Sequence, residues 1–274
     1  MTTNLPHPLT GELFPSPVPP GTGWPQDPAE RHTRRARSAA GVRRLATGSG
    51  DLATLDARVS VCTACPRLVG WRETVARTKR ASFADQPYWG RPAPGIGPSD
   101  AGVLVVGLAP AAHGANRTGR MFTGDRSGDW IYAALHRAGY ASQATSTHAG
   151  DGMTLRDLRI TAPVHCAPPD NAPTVEERAT CRPWLQRELT LLEPGLRSIL
   201  ALGGIGWDAV LTAARALEWR VPRPRPRFGH GAEAVLTTAA GRDVRLVGSY
   251  HVSQQNTFTG RLTESMLDDV VSRL

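Results

Sequence analysis

The sequence predicts an α/β protein, a three-layer α/β/α sandwich around a mostly parallel central sheet of four strands. From about residue 102 to the end of the chain, short apolar segments alternate with segments of helical periodicity, which is typical of parallel strands joined by helices. Residues 103–106 are apolar throughout, as in a strand that is buried on both faces. The chain has 274 residues, of which 40% are hydrophobic, so it can bury a core of this size.

Four strands and four helices are predicted in this alternation. The strands are residues 103–106, 155–164, 196–202 and 244–248. The helices are residues 127–138, which Gly139 ends, residues 174–192, residues 205–216, and a last helix from about residue 261. Thr174 and Glu177 have the spacing of a capping box, which supports the start of the second helix.

Residues 1–50 are predicted to be a proline- and arginine-rich arm that packs loosely, ahead of a folded domain of residues 51–274. The first 30 residues hold many prolines and little apolar periodicity. Six arginines and no acidic residue follow between residues 31 and 44. This run is either an arm that binds nucleic acid or the solvated face of a helix. Residues 51–60 are predicted to form a short helix.

The charge of the chain favours a polyanionic partner. The formal net charge is +8 and the isoelectric point is about 10.1. Lys79 is the only lysine, and arginine binds phosphate through two parallel hydrogen bonds. A GC-rich genome that favours arginine codons explains the same bias. No apolar run reaches about eighteen residues, and the N-terminus lacks the pattern of a signal peptide, so we expect a cytoplasmic protein without a membrane span.

A polar loop of residues 107–125 follows the first predicted strand. In open α/β sheets, ligands bind beyond the carboxyl ends of the strands, where such loops lie. Arg117, Thr118 and Arg120 are candidates to bind an anion there, and Phe122 is an isolated aromatic ring among polar neighbours. The alternative is an ordinary connection between a strand and a helix.

A second polar loop, residues 251–263, follows the last predicted strand and should reach the same edge of the sheet. His251 in such a loop can donate a hydrogen bond to a developing oxyanion, or act as a general acid or base. A polar run, Ser253, Gln254, Gln255 and Asn256, can bind phosphates or replace a displaced base. A purely structural histidine is the alternative.

Four cysteines form two groups, Cys62 with Cys65 and Cys166 with Cys181. This is the number of ligands in an all-cysteine zinc site or an iron–sulfur cluster. The C-x2-C pair precedes the first predicted strand, which does not fit a thioredoxin-like motif. Unrelated buried thiols remain an alternative, and spacing alone does not separate zinc from iron–sulfur.

Two further segments are predicted to be irregular. Residues 83–98 carry four prolines and should form a loop over the core. Residues 220–231, a basic proline-rich loop, either lie along a phosphate backbone or face solvent.

The two polar loops and the cysteines together resemble the uracil-DNA glycosylase superfamily, most closely the iron–sulfur enzymes called type B or family 5. GLAPAAHGANRTGRMFTGD, at residues 107–125, resembles the first family motif, and HVSQQNTFTGRLT, at residues 251–263, resembles the second. The spacing C-x2-C with C-x14-C resembles the four cluster ligands. The resemblance covers about residues 60–274 and leaves the proline-rich N-terminus unexplained.

The resemblance implies a role for each matching position. The four cysteines Cys62, Cys65, Cys166 and Cys181 would hold a structural [4Fe-4S] cluster. Phe122 would stack on the base taken out of the duplex, and His251 would donate to uracil O2 as the glycosidic bond breaks. The candidate base contacts are Leu108, Ala109 and Asn171. The candidates for positioning water are Asp125 and Asn116. The candidate DNA contacts are Arg117, Ser253, Gln254, Gln255 and Asn256.

The sequence departs from the family pattern at three positions. Ala109 occupies a position where other types carry Asp, Asn or Glu to activate water, which agrees with type B but puts the mechanism in doubt. Ala162 replaces an asparagine that reads the uracil edge in family 4, which suggests a roomier pocket. Val252 follows the motif histidine, where proline is common.

These implications lead to two functional hypotheses. In the first, the chain is a monofunctional DNA glycosylase that removes uracil and related deaminated bases, such as hypoxanthine, from double-stranded DNA and so begins base excision repair. We then expect a monomer in the cytoplasm, associated with the nucleoid. In the second, the chain is a non-catalytic nucleic-acid-binding protein with a structural zinc or iron–sulfur site.

Overall fold

The computed structural model describes residues 4–274, which contain seven strands and nine helices. The strands are β1 (Leu5–Pro6), β2 (Leu13–Phe14), β3 (Val103–Val106), β4 (Leu158–Thr161), β5 (Ser198–Leu202), β6 (Glu233–Thr237) and β7 (Asp243–Ser249). The helices are α1 (Ala39–Thr47), α2 (Leu52–Ser60), α3 (Pro66–Thr78), α4 (Ala115–Thr118), α5 (Arg126–Arg137), α6 (Val175–Leu192), α7 (Gly203–Ala216), α8 (Gln254–Phe258) and α9 (Glu264–Val271).

The central sheet has five strands, in the order β4-β3-β5-β7-β6, whereas the sequence predicted four. The four predicted strands are parallel to one another, and the additional strand β6 pairs antiparallel with β7 at the edge. Only Leu236 of β6 is fully buried, so this segment lacks the continuous apolar run that reveals a central strand. The α/β class and the mostly parallel sheet are confirmed.

The register of the sheet brings the polar loops to one edge. Val106 of β3 pairs with Thr161 of β4 and with Ala201 of β5, so these three strands end together. Leu202 of β5 pairs with Ser249 of β7. The loops after β3 and β7 therefore leave the sheet side by side.

Helices cover both faces of the sheet, which confirms the three layers. On one face, α1, α2, α6 and α7 pack with the side chains of Leu104, Val106 and Ile199. On the other face, α5 and α9 pack with Val103, Val105 and Leu200. Because neighbouring residues of a strand point to opposite faces, an unbroken apolar run such as that of β3 fills both cores.

The structure differs from the expectation of a loosely packed arm. Phe14, Val18 and Trp24 are buried in a small cluster with Trp89, and the Trp24 indole donates a hydrogen bond to the Thr118 carbonyl at 3.2 Å. Isolated aromatic residues in a proline-rich segment give no periodic pattern, so the sequence did not reveal this packing. The domain boundary at residue 50 stays a prediction.

Part of the arginine run lies on α1, a helix that the sequence did not predict. Val42 and Leu45 of α1 are buried, whereas Arg43 and Arg44 are exposed. This arrangement favours the interpretation of a solvated helix face for that part of the run.

Helix boundaries agree with the sequence where a cap marks them. The Thr174 hydroxyl accepts from the Glu177 amide and the Glu177 carboxylate accepts from the Thr174 amide, so the predicted capping box is confirmed. The last helix begins after Thr263, slightly later than predicted. Helix α3, which starts with Pro66 directly after Cys65, was not predicted. Within residues 4–274, no helix is long and apolar enough to cross a membrane.

Candidate active site

The loops after β3 and β7 meet over the carboxyl edge of the sheet. They bring Phe122 of the first loop and His251 of the second together, with ring centroids 6.1 Å apart and ring planes inclined by 39°. Both side chains are half-buried. The sequence predicted that the two loops reach the same edge of the sheet, and there an apolar ring and an imidazole lie close enough to contact one flat heterocycle.

Two glycines leave the space that Phe122 occupies. A Cβ on Gly107, the residue after β3, would lie only 2.8 Å from the tip of the Phe122 ring. A Cβ on Gly128, in the first turn of α5, would collide with the Phe122 carbonyl. Phe122 itself has a φ of 51°, which few residues other than glycine adopt. The ring position is therefore set by close backbone packing on two sides.

His251 lies in the site as a neutral imidazole. Burial lowers the pKa of His251 to about 4. Within residues 4–274, neither ring nitrogen of His251 has a hydrogen-bond partner, whereas its carbonyl accepts from the Asn256 side chain at 2.8 Å. The backbone of Gly203, at the start of α7, approaches so closely that a Cβ there would lie 3.4 Å from the His251 Cβ. The imidazole therefore keeps a free N–H.

Asp125 caps α5 beside this pair. One carboxylate oxygen accepts from the Gly128 amide at 3.0 Å, and the other points at the Cα of Gly114, where a Cβ would collide with it. Burial raises the pKa of Asp125. The carboxyl group is fixed in the loop and is partly withdrawn from solvent.

Asn116 connects the first loop to α3. Its side-chain amide donates to the Arg72 carbonyl at 3.2 Å and to the Ala112 carbonyl, and its Oδ1 is buried without a partner in the described part of the chain. Asn116 therefore has a structural contact in addition to any part in the predicted site.

The arginines of the first loop are not placed for an external anion. Arg117 is buried, and its guanidinium contacts the carbonyls of His113 and Gly124 and the side chain of Gln86. Arg120 is also buried and pairs with Asp151 at 2.6 Å. Thr118 is buried as well. Arg117 thus holds the loop together through hydrogen bonds to carbonyls of the loop itself, and its predicted DNA contact stays a prediction.

The second loop divides into exposed and internal positions. Gln254 and Gln255 are exposed on α8, and Ser253 precedes them at the helix start. Asn256, by contrast, is half-buried and donates from its side-chain amide to the His251 carbonyl, and its DNA contact stays a prediction. The sequence did not single out Phe258, whose ring is 67% exposed at the end of α8.

The predicted base contacts fall in two places. Leu108 and Ala109 are half-buried directly after Gly107, so they lie at the sheet edge with Phe122. Asn171 is exposed in a 3-10 turn, and the next residue, Ala172, accepts a hydrogen bond from Arg67 of α3. The turn therefore lies beside the cysteine-bearing segment.

All four cysteines line one small cavity, of about 20 Å³, between α3, α6 and the segment after β4. Arg72 of α3, which the sequence did not reveal, donates to the Cys166 sulfur at 2.8 Å. Burial and the neighbouring cysteines raise the pKa of Cys62 to about 11 and that of Cys65 to about 12. Within residues 4–274, no three His, Cys, Asp or Glu side chains converge on the position of a single metal ion.

Comparisons with known proteins agree on one family. Residues 94–274 match the uracil DNA glycosylase superfamily. The chain is 58% identical over 264 residues to a type-5 uracil-DNA glycosylase of Mycobacterium tuberculosis (strain CDC 1551 / Oshkosh), with 96% of each chain covered. It is 47% identical over 213 residues to a type-5 uracil-DNA glycosylase of Thermus thermophilus, covering 78% of this chain and 92% of that one. A type-4 uracil-DNA glycosylase of Pyrobaculum aerophilum is 32% identical over 160 residues, covering 58% of this chain and 69% of its own.

Proposed function

This chain belongs to the uracil DNA glycosylase superfamily, and we propose that it excises uracil from DNA by hydrolysing the bond between the base and the deoxyribose. The observation that carries the proposal is the Phe122–His251 pair at the sheet edge, with ring centroids 6.1 Å apart. Its similarity to type-5 uracil-DNA glycosylases over nearly the whole chain supports the same activity.

The base must leave the duplex to reach this site, because its glycosidic bond is not accessible within the stack. In the proposal, the extruded base lies against the Phe122 ring, with Leu108 and Ala109 at its border. A flat apolar ring accepts any base, so Phe122 provides affinity and little selectivity. Ala162 lies where the resemblance leads us to expect an asparagine in family 4, which extends the proposal to other deaminated bases such as hypoxanthine.

His251 supplies the selective chemistry in this proposal. When the bond between the base nitrogen and C1′ breaks, the electron pair stays with the base and negative charge develops on O2. The neutral imidazole donates its N–H to that oxygen, a hydrogen bond that strengthens as the charge grows. Water then adds its hydroxyl to C1′, and the departing base takes up the remaining proton.

Asp125 is the first candidate to position that water. Burial raises its pKa, which favours a carboxylate that accepts a proton more readily than an exposed one. Asn116 is the second candidate, although its side-chain amide is bound to the Arg72 carbonyl. Ala109 carries no polar group, so the proposal assigns most of the barrier reduction to stabilisation of the departing base.

The four cysteines fit an iron–sulfur cluster better than a zinc ion. A single zinc ion needs four sulfurs converging on one point, whereas in a [4Fe-4S] cluster each thiolate binds a different iron atom. The four sulfurs share one cavity without converging, and Arg72 offers a hydrogen bond to Cys166. When bound, the cluster would tie α3, α6 and the segment after β4 together; hydrolysis transfers no electrons.

Exposed side chains of the second loop are the proposed contacts to the strand left after the base is extruded. Ser253, Gln254 and Gln255 are the candidates, and Gln254 and Gln255 are exposed on α8. Acting on genomic DNA, the enzyme would work as a monomer at the nucleoid.

The test is incubation of the full chain with a labelled duplex that holds one uracil, followed by alkali to cleave abasic sites. We expect cleavage at the uracil and none in the matched duplex with thymine at that position. Binding to both duplexes without alkali-sensitive products would contradict the proposal and favour a non-catalytic nucleic-acid-binding protein.

A further inference from the structure

A groove between α6 and α7 carries positive charge that the described part of the protein does not use. Arg178 and Arg182 of α6 line it, and about 540 Å³ of empty space lies between them and α7, open to solvent. The two arginines are four residues apart, so they lie on the same face of the helix. The remaining walls are formed mainly by apolar side chains such as Leu185 and Ile205.

The two guanidinium groups lack the partners that other half-buried and buried arginines have. Arg159, for example, binds Asp56 and Glu188, and Arg120 binds Asp151. Within residues 4–274, Arg178 and Arg182 take part in no ion pair, and the Arg178 Nε is buried without any hydrogen-bond partner.. An unsatisfied buried donor on a charged group is costly, which favours an anionic acceptor that arrives with a ligand.

The single acidic residue lining the groove is already neutralised. Asp208 of α7 is bound by Arg225 at 2.7 Å, and Arg225 belongs to the basic proline-rich loop of residues 220–231. The same loop packs on the start of α7, where the Phe228 ring lies 3.6 Å from the position of a Cβ on Gly204. The groove and the basic loop therefore lie next to each other on one surface of the protein.

This surface adjoins the candidate active site through the first turn of α7. Gly203, the first residue of α7, lies against His251, and Ile205 lines the groove two residues further on. Two residues of helix correspond to a rise of about 3 Å. Pro163, which follows β4, lies at the same edge of the sheet and also lines the groove.

We propose that this groove binds a backbone phosphate of the DNA duplex, with Arg178 and Arg182 as its ligands. The proposal rests on the proposed function, because it is DNA held with a base at Phe122 and His251 that passes beside the groove. Among the described residues, 4–274, no aromatic ring lines the groove, so it offers no surface for stacking a base. Paired guanidinium groups, by contrast, suit a phosphodiester.

The test compares two double variants of the full chain that remove the same charge. The groove variant, Arg178→Gln with Arg182→Gln, removes both positive charges from the groove. The control, Arg156→Gln with Arg215→Gln, removes two exposed arginines near the opposite edge of the sheet, one just before β4 and one in the last turn of α7. Binding to a uracil-free duplex is measured over a range of salt concentrations, and single-turnover excision is measured at saturating uracil-containing DNA.

We expect the groove variant to lower the slope of log affinity against log salt by about 0.9 per lost phosphate contact, while the control keeps the wild-type slope. Excision at saturating DNA, measured for the wild-type protein and for the control, tests the proposed function separately. If the double variant does not fold, Arg182→Gln alone carries the test, with half the expected change in slope.

An unchanged slope in a folded groove variant would overturn the proposal, even if the protein excises uracil. A thermal shift with inorganic phosphate that only the groove variant loses, with an unchanged DNA slope, would assign the groove to a free phosphate ligand and also overturn it. If the groove variant lowers the slope but the wild-type protein does not excise uracil, the phosphate site is supported and the proposed function is contradicted.

Discussion

At the scale of single residues, Gly107 shows how the backbone shapes the candidate site. A Cβ at this position would lie 2.8 Å from the Phe122 ring, closer than real side chains approach each other. Phe122 cannot move the other way freely, because its carbonyl is packed against Gly128. The glycine is therefore needed for the position of the ring and, in the proposed function, for the position of the base that stacks on it.

The variant Gly107→Ala should reduce single-turnover excision by about tenfold to a hundredfold, because a displacement of the stacking ring by a fraction of an ångström misaligns the base. The measurement is the excision rate at saturating DNA, with the melting temperature recorded alongside. Gly70→Ala is the matched control, since a Cβ at Gly70 in α3 meets nothing within 4 Å. A full excision rate in Gly107→Ala would mean that the Phe122 ring does not set the geometry of the site.

The sequence predicted some of these residues and missed others for a physical reason. Phe122 and His251 could be predicted because each is an unusual side chain in a polar loop after a strand. The internal hydrogen bonds of Arg117 were missed because its acceptors are carbonyls of its own loop, which leave no trace in the sequence. Arg72 was missed because a helical arginine gives no sign of a cysteine sulfur 94 positions along the chain.

At the scale of elements, the cysteine cavity joins segments that are distant in the sequence. The C-x2-C pair precedes α3, Cys166 follows β4, and Cys181 lies within α6. Burial and the charge of the neighbouring sulfurs raise the pKa of all three thiols Cys62, Cys65 and Cys181. Four close thiolates without a cation repel one another, so a bound cluster would stabilise this arrangement.

The variant Cys166→Ala should lose the absorbance at about 400 nm that an iron–sulfur protein displays, and should become less soluble or melt at a lower temperature. The spectrum and the iron content of the purified protein are the measurements. Thr180→Ala, a change at another residue lining the cavity, is the control and should keep the absorbance and the iron content of the wild-type protein. A wild-type protein that is colourless and contains zinc would contradict the iron–sulfur assignment.

The strand that the sequence missed illustrates the limit of pattern-based prediction for elements. The four parallel strands are buried on both faces or nearly so, and their apolar runs were recognisable. Strand β6 is an edge strand with one buried side chain and an exposed Val235, and its place in the sheet depends on its pairing with β7. Such pairing is a property of the assembled sheet and not of the segment.

At the scale of the whole molecule, a buried charge cluster ties three elements together. Arg159 of β4 contacts Asp56 of α2 at 2.6 Å and also binds Glu188 of α6. One cation serves two carboxylates, so the group carries an excess negative charge. Burial, together with Glu188, raises the pKa of Asp56 to about 7 against the attraction of Arg159.

The raised pKa of Asp56 determines how the stability of the folded protein changes with pH. Between the ordinary pKa of an aspartate and about 7, the folded protein holds a proton that the unfolded chain releases, so this group's contribution to stability falls as the pH rises. The variant Asp56→Asn has no carboxyl group at this position, so it does not lose this stability as the pH rises. The melting temperature of Asp56→Asn relative to wild type should therefore increase between about pH 5 and about pH 8.

Melting curves at several pH values for both proteins check this expectation. Asp100→Asn, the same substitution at an exposed aspartate, is the control. A relative melting temperature of Asp56→Asn that decreases with pH would contradict the raised pKa.

The packing of the N-terminal segment also belongs to this scale. Trp24 binds the Thr118 carbonyl of the first loop, and the Val18 amide binds the Trp89 carbonyl beside it. These contacts depend on chain segments about 70 to 94 positions apart, which explains why composition alone suggested a loose arm. The segment supports the loop that carries Phe122.

The central claim is that His251 lowers the activation barrier of excision, mainly by stabilising the departing base. The most direct measurement is the single-turnover excision rate at saturating uracil-containing DNA for His251→Ala and for Asp125→Asn, which keeps an oxygen to cap α5. His136→Ala, an exposed histidine of α5, is the control for His251. We expect His251→Ala to lose about a hundredfold to a thousandfold in rate while binding DNA nearly as before, with a smaller loss in Asp125→Asn. A wild-type rate in His251→Ala together with no activity in Asp125→Asn would contradict the account and identify the carboxylate as the base of a water-activating hydrolase.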